Sequence, residues 1–101
     1  MGLAQDRRGE LSMRIDALFK LSTVKVLLAL LEAGSMRYSE LLDRVIQSRS
    51  TLALALRDAQ KDRLIERTVE DTRPVQTRYS LTVRGREVAE HLIQIRKVVL
   101  K

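Results

Sequence analysis

Apolar residues along this chain follow two different spacings, and the change between them sets the order of elements. Leu11, Ile15, Leu18 and Phe19 recur at helical spacing. Ser22 then offers a side-chain oxygen as an N-cap. Behind it, Val24, Val26, Leu27, Leu28, Leu30 and Leu31 leave only Lys25, Ala29 and Glu32 on a narrow polar stripe. A helix apolar around most of its circumference has to be buried on most sides, so this segment is predicted to be the centre of the core. Gly34 is placed to end it as a C-cap. Ser35–Arg37 reads as a short extended piece, and Ser39 as the cap of a helix over Glu40–Val45 that buries Leu41 or Leu42 with Val45. After the turn at Ile46 and Gln47, Ser48 caps a longer helix reaching about Arg63, with Leu52, Leu56 and Ala59 inward.

From Leu64 the period falls to two. Leu64–Val69 is one run. In the second, Val75–Leu81, Val75, Thr77, Tyr79 and Leu81 alternate with Gln76, Arg78 and Ser80. Two such runs around the polar stretch Glu70–Pro74 read as a hairpin. Thr82 caps a final helix over 82–101, in which Val88, Leu92, Ile95 and Val99 are spaced four, three and four, a seam for a partner helix. Residues 1–10 read as a loose arm or frayed helix start, and 11–101 as a single domain closing with a dimerisation helix. The chain is predicted to be mainly α with a small β-hairpin (α+β): a winged helix-turn-helix with a long terminal helix.

With 101 residues there is room for one domain and one modest core. The net charge of +6 matters more, because fourteen of the nineteen cations are Arg, which keeps its charge and forks onto phosphate or guanine. Ten cations face only five anions between Arg44 and Arg86, which favours an anionic polymer as partner. Cysteine is absent, excluding disulfides and thiolate metal sites. No apolar run is long enough to span a bilayer, and residues 1–10 lack an apolar signal core, so a cytoplasmic location is expected. One His, four Gly, no phosphate loop and no paired carboxylates give no catalytic constellation, cofactor site or metal site. The expectation is a protein that is not an enzyme.

Three segments carry a family resemblance: MRYSELLDRV at Met36–Val45, SRSTLALALRDAQKDRLIERTV from Ser48, and RPVQTRYSLTVRGRE from Arg73. Tyr38 and Ser39 before the short helix, Leu52 and Leu56 spaced by four, and Tyr79–Thr82 followed by Gly85 resemble the HxlR branch of the MarR-like winged-helix regulators over about residues 21–90. Small archaeal-type winged-helix DNA-binding proteins with long terminal helices are similar in the same respects. The resemblance implies a dimeric transcription regulator. Arg49 and Ser50 stand where the family usually has Pro-Lys, the middle of the longer helix is apolar (Ala53, Leu54, Ala55), and the Cys of redox-responsive members is absent.

On the longer helix, the face opposite Leu52, Leu56 and Ala59 carries Ser50, Leu54, Arg57 and Lys61. A helix in the major groove offers its first turns to bases and its later positions to phosphate. Ser48, Arg49, Ser50 and Thr51 are the expected polar contacts, with Arg49 suited to guanine, while Ala53 and Leu54 can touch only a thymine methyl. In the hairpin, Arg73 at the tip, with Gln76 and Arg78 on the outward side, is expected to reach the minor groove. Arg37, Tyr38 and Ser39 are expected to hold a backbone phosphate at the start of the short helix. Packing of Leu54 and Tyr38 within the domain stands beside these readings, as does a solvated role for Arg57 and Lys61.

The seam Val88, Leu92, Ile95 and Val99, with Leu11, Ile15, Leu18 and Phe19, is expected to pair two copies. That would set two reading helices about 34 Å apart, one duplex turn. The alternative is a terminal helix folded back on its own domain. His91, beside the seam, has no metal partner in the sequence. The expected partners are double-stranded DNA and a second copy of the chain, with no membrane; the residues mark no small-molecule effector site. The functional expectation is a sequence-preferring, homodimeric transcriptional regulator. Two alternatives stay open, an architectural protein coating DNA with little sequence preference and a winged-helix protein–protein adaptor.

Overall fold

In the computed structural model, which describes residues 20–100, helix α1 spans Leu21–Ala33. Val26, Leu27 and Leu30 are fully buried, as the near-continuous apolar run requires, while Lys25 and Glu32 stay exposed. The expected cap at Ser22 is not used. Lys20 takes the N-cap position, and its carbonyl accepts from the Val24 N–H at 3.0 Å, which draws Ser22 into the first turn. Gly34 closes the helix at φ +85°, a backbone angle that favours glycine, with its N–H on the Leu30 carbonyl at 2.9 Å.

Strand β1 (Ser35–Arg37) leads directly into α2 (Tyr38–Arg44). Here too the cap differs from expectation. Ser39 is the second residue of the helix, because Glu40 in its first turn accepts from the Arg37 N–H at 3.0 Å and fixes the start two residues earlier. Leu41 is fully buried, and Leu42 and Val45 are half-buried. Helix α3 (Arg49–Lys61) begins as predicted, with Ser48 Oγ accepting from the Thr51 N–H at 3.3 Å. Leu52, Leu56 and Ala59 face inward, joined by Ala55. The helix ends at Lys61, two residues before the predicted Arg63. Arg63 takes a left-handed conformation at φ 59°, and its carbonyl accepts from Thr82 Oγ1 at 2.6 Å.

Strands β2 (Ile65–Glu70) and β3 (Gln76–Leu81) form the hairpin, and β1 joins β3 to give an antiparallel sheet of order β1-β3-β2. The register pairs Met36 and Arg67 with Tyr79, Ile65 with Leu81, and Val69 with Thr77. Paired residues share a face, so Met36, Ile65 and Tyr79 enter the core. The same face continues beyond the core, under the hairpin, as Arg67, Val69 and Thr77. Arg37, Thr68 and Arg78 lie on the opposite face with Glu70 and Gln76.

Helix α4 (Val83–Val99) starts at the predicted Thr82 cap, whose Oγ1 accepts from the Gly85 N–H at 2.9 Å. A Cβ at Gly85 would sit 1.8 Å from the Leu64 carbonyl oxygen, so this close approach of helix to strand admits only glycine. The predicted seam of α4 divides in two. Ala89 and Leu92 complete the core against α1, with Leu92 only 8% exposed, and Val88 is half-buried beside them. The apolar circumference of α1 exceeds what α3 and the sheet cover, so the first half of α4 folds back onto it. Leu92 is therefore inside the chain's own fold, while Val88 keeps part of its surface open. Farther along, Ile95 (51% exposed), Val98, Val99 (76%) and Leu100 remain open. The other expected interface residues, Leu11, Ile15, Leu18 and Phe19, lie outside the described residues, as does the arm 1–10. No described helix is long and apolar enough to cross a membrane.

Candidate nucleic-acid interface

Burial of Leu52, Ala55, Leu56 and Ala59 turns the rest of α3 outward. Ser48, Arg49, Ser50, Thr51, Ala53, Leu54, Arg57 and Lys61 are all exposed, and Leu54, at 42%, does not pack into the domain. Ser48 Oγ is committed to the cap and lies 3.3 Å from Ser50 Oγ. Asp58, the one carboxylate within α3, pairs with Lys20 at 3.8 Å, which draws its charge toward α1 and away from the outward cations. Among the described residues, Arg49, Arg57 and Lys61 have no ion-pair partner. Lys25 and Lys20 share a shallow recess with Thr51 and Ile46, so Lys25 of α1 and Lys20 at its N-cap stand beside the first turn of α3. The polar stripe of α1 contained Lys25, but its position beside α3 depends on helix packing that the pattern does not encode.

At the hairpin, Arg73 is exposed at the tip, where the Thr72 hydroxyl donates to the Pro74 carbonyl at 2.9 Å. Arg78 does not face outward freely as expected. Its guanidinium is held by Glu70 across the hairpin and donates to Ser35 Oγ at 3.2 Å, which ties together all three strands. Gln76 is half-buried, and Val75 beside it is 63% exposed.

Between the underside of the hairpin and the start of α2 lies an open cleft of about 430 Å³, lined by Arg37, Tyr38, Ser39, Arg67, Gln76 and Thr77 with Val75 and Tyr79. The cleft thus gathers the three residues expected at the start of α2 and one expected in the hairpin. It adds Arg67, which the reading of the sequence passed over. The alternation Ile65-Arg67-Val69 is the signal that would have found it. The Arg37 Nε is buried and makes no hydrogen bond. Glu40 lies next to this end of α2, and its carboxyl is held below its ordinary value of 4.5. The Arg37 N–H contributes most. Burial opposes the shift, and the charges of Arg44, Arg37 and Arg78 reinforce it. Glu40 thus occupies the Arg37 amide at the start of α2.

No group of metal-ligating side chains occurs among the described residues. His91 is exposed, with Nδ1 2.8 Å from the Glu87 carbonyl one turn back. The HxlR-like helix-turn-helix family matches residues 21–101. No curated protein matches the sequence. Among solved structures, a transcriptional regulator homologue from Pyrococcus horikoshii is 17% identical, covers 91% of this chain and 94% of its own, and superposes with a TM-score of 0.75. The transcriptional repressor BigR from Xylella fastidiosa is 19% identical, with 96% and 93% covered and a TM-score of 0.72. The reduced form of the regulator YodB from B. subtilis is 21% identical, with 87% and 86% covered and a TM-score of 0.69. At these identities the likeness is one of fold.

Proposed function

The chain belongs to the HxlR-like helix-turn-helix family and is a transcriptional regulator of the HxlR/MarR winged-helix type; from that premise we propose that it binds double-stranded DNA as a twofold homodimer, with α3 in the major groove and the wing at the minor groove. The observation that carries this reading is the outward face of α3, where Arg49, Arg57 and Lys61 are exposed and free of ion pairs among the described residues. Arg49, Ser50 and Thr51 at the first turn are the base-reading candidates, and Arg57 and Lys61 the phosphate contacts. Leu54 and Ala53 contribute only apolar contact to a thymine methyl, so direct readout rests on few polar groups. Arg73 is assigned to the minor groove and Arg37, Tyr38, Ser39 and Gln76 to the backbone. Arg78 is assigned a structural part, since Glu70 and Ser35 already hold it.

Pairing of two copies is assigned to the open half of α4, Ile95, Val98, Val99 and Leu100, together with Leu11, Ile15, Leu18 and Phe19. A cytoplasmic location and the absence of catalysis fit this role.

Competition binding tests the reading. A regulator should prefer a site from its own promoter over random duplex by about a thousandfold or more. Arg57→Ala should weaken binding to both and lower the salt dependence by about one phosphate contact. Equal affinity for promoter and random DNA with a steep salt dependence would instead identify a protein that coats DNA. No binding at low ionic strength would leave an adaptor.

A further inference from the structure

We propose that the end of the domain opposite the wing tip is a docking surface for an acidic protein segment, held by Arg63 and Arg84, with Val83 beside them and Lys61 at the border. The orientation of this face relative to a duplex rests on the DNA-binding reading above; its charge and shape do not.

The turn from α3 into β2 and the first turn of α4 meet here around a concave site of about 350 Å³, lined by Lys61, Asp62, Arg63 and Arg84. Three cations thus accompany one carboxylate, and among the described residues none of the four makes an ion pair. Backbone bonds hold the two walls together. Thr82 Oγ1 donates to the Arg63 carbonyl at 2.6 Å and accepts from the Gly85 N–H at 2.9 Å, and the Thr82 N–H donates to the Leu64 carbonyl at 3.1 Å. Arg63 stands at φ 59°, a left-handed backbone that favours glycine. Arg84 and Arg86 fall in the first turn of α4, which holds no acidic residue, although the positive end of the helix dipole repels cations there. Neither placement stabilises the chain by itself, and an anionic partner offsets the second directly.

The register turns this surface away from the duplex that α3 and the wing address. Ile65 pairs with Leu81 at one end of the hairpin and Glu70 with Gln76 at the other. The Arg63–Arg84 end therefore lies about 17 Å from the strand ends that carry the wing tip. Helix α3 has 13 residues, which puts its C-terminal end about 18 Å from Arg49. A protein segment fits this surface better than a second duplex does. Asp62 among the cations opposes a run of phosphates, and Val83, 88% exposed on the same first turn, offers an apolar contact that a phosphate backbone cannot use. A segment mixing carboxylates with apolar side chains meets both, and Arg–carboxylate hydrogen bonds are the strong, charge-assisted kind.

The test uses the 101-residue chain and a short fluorescein-labelled peptide in which Leu and Gly are interspersed among Glu, with a counterpart carrying Gln for Glu. Anisotropy is followed at low, constant ionic strength, for the chain alone and for the chain saturated with unlabelled duplex. The Glu peptide should bind saturably in both cases and the Gln peptide in neither. Arg63→Gly and Arg84→Gln should each weaken the Glu peptide about tenfold and leave duplex affinity unchanged. Arg63→Gly keeps the fold, since glycine accepts this backbone, so its melting temperature should not fall while peptide affinity does. The proposal is overturned if the Glu peptide does not bind saturably, if either substitution leaves its affinity as in the wild type, or if duplex displaces it. Duplex affinity lost in step with peptide affinity would also overturn it, and would make the face a second nucleic-acid contact. Failure of the DNA-binding reading is seen separately, as no duplex binding by a chain that still takes the Glu peptide.

Discussion

Replacing Ile95 and Val99 together by Glu places four charges across a twofold axis, if the open half of α4 is where two copies meet. Ile95 is 51% and Val99 76% exposed in the single chain. Full burial of such a side chain contributes about 1.5–3 kcal/mol. Scaled by the area still open, Ile95 contributes about 1 kcal/mol and Val99 about 1.5 kcal/mol. A twofold interface counts each side chain twice, for about 5 kcal/mol in all. That loss alone raises the dimer dissociation constant by three to four orders of magnitude, roughly, and the buried carboxylates add to it. Sedimentation equilibrium over a range of protein concentration reads this directly. The Ile95→Glu/Val99→Glu protein should sediment as a folded monomer, with unchanged helical circular dichroism, at concentrations where the wild type is a dimer. Leu92→Ala is the matched control. At 8% exposure Leu92 belongs to the core, so its truncation should lower folding stability by about 2–5 kcal/mol while leaving the dimer constant of the folded protein little changed. A double mutant that sediments as the wild type does would refute the assignment of this face, and a dimer lost specifically in Leu92→Ala would restore the full seam.

Gly85→Ala should be among the most damaging small substitutions, because the added methyl meets the Leu64 carbonyl oxygen at 1.8 Å and α4 has to move away from the sheet. Overpacking of this kind costs about 1–3 kcal/mol or more, a fall in Tm of roughly 4–8 °C per kcal/mol in a domain this size; an unchanged melting curve would mean that the close approach is not there. Glu40→Gln should lose stability at neutral pH but not in acid. The carboxyl is held below 4.5 in the fold, so its contribution is present above that pH and disappears as pH falls through the lowered value. Urea midpoints of wild type and variant should converge at low pH, and a constant offset across the titration would contradict the capping role. Arg73→Ala should reduce affinity for a site flanked by A·T pairs more than for one flanked by G·C, since a narrow A·T minor groove attracts Arg by its potential; equal losses would remove the wing tip from the minor groove.

What could be read from the sequence was what depends on neighbours in the chain. The caps at Ser48 and Thr82, the glycine stop at Gly34, the two-residue alternation of β3 and the core positions Leu52, Leu56 and Ala59 all follow from local hydrogen bonding and periodicity. The caps expected at Ser22 and Ser39 failed for equally local reasons, since Lys20 and Glu40 start those helices earlier. The division of the α4 stripe was not legible. An apolar row at heptad-like spacing looks the same whether it faces its own α1 or a second copy, and only the tertiary packing assigns Leu92 to the first. Arg78 lies on the outward side that the alternation implies, but its pairing was not legible, because its partner Glu70 is set by hairpin register and its contact with Ser35 by a strand 43 residues away. Arg67 was legible in principle, from its place between Ile65 and Val69, but a cation on a core-facing row gains meaning only once the wing is seen to overhang α2.

The most direct test of a dimeric regulator reading DNA through α3 is selection of bound duplexes from a random library by the 101-residue protein. An inverted repeat should emerge, with half-site centres about 34 Å apart, one helical turn, and it should be depleted when the selection is repeated with Arg49→Ala. A retained pool with no shared sequence, or one enriched in single half-sites without symmetry, would contradict either the reading helix or the twofold pair.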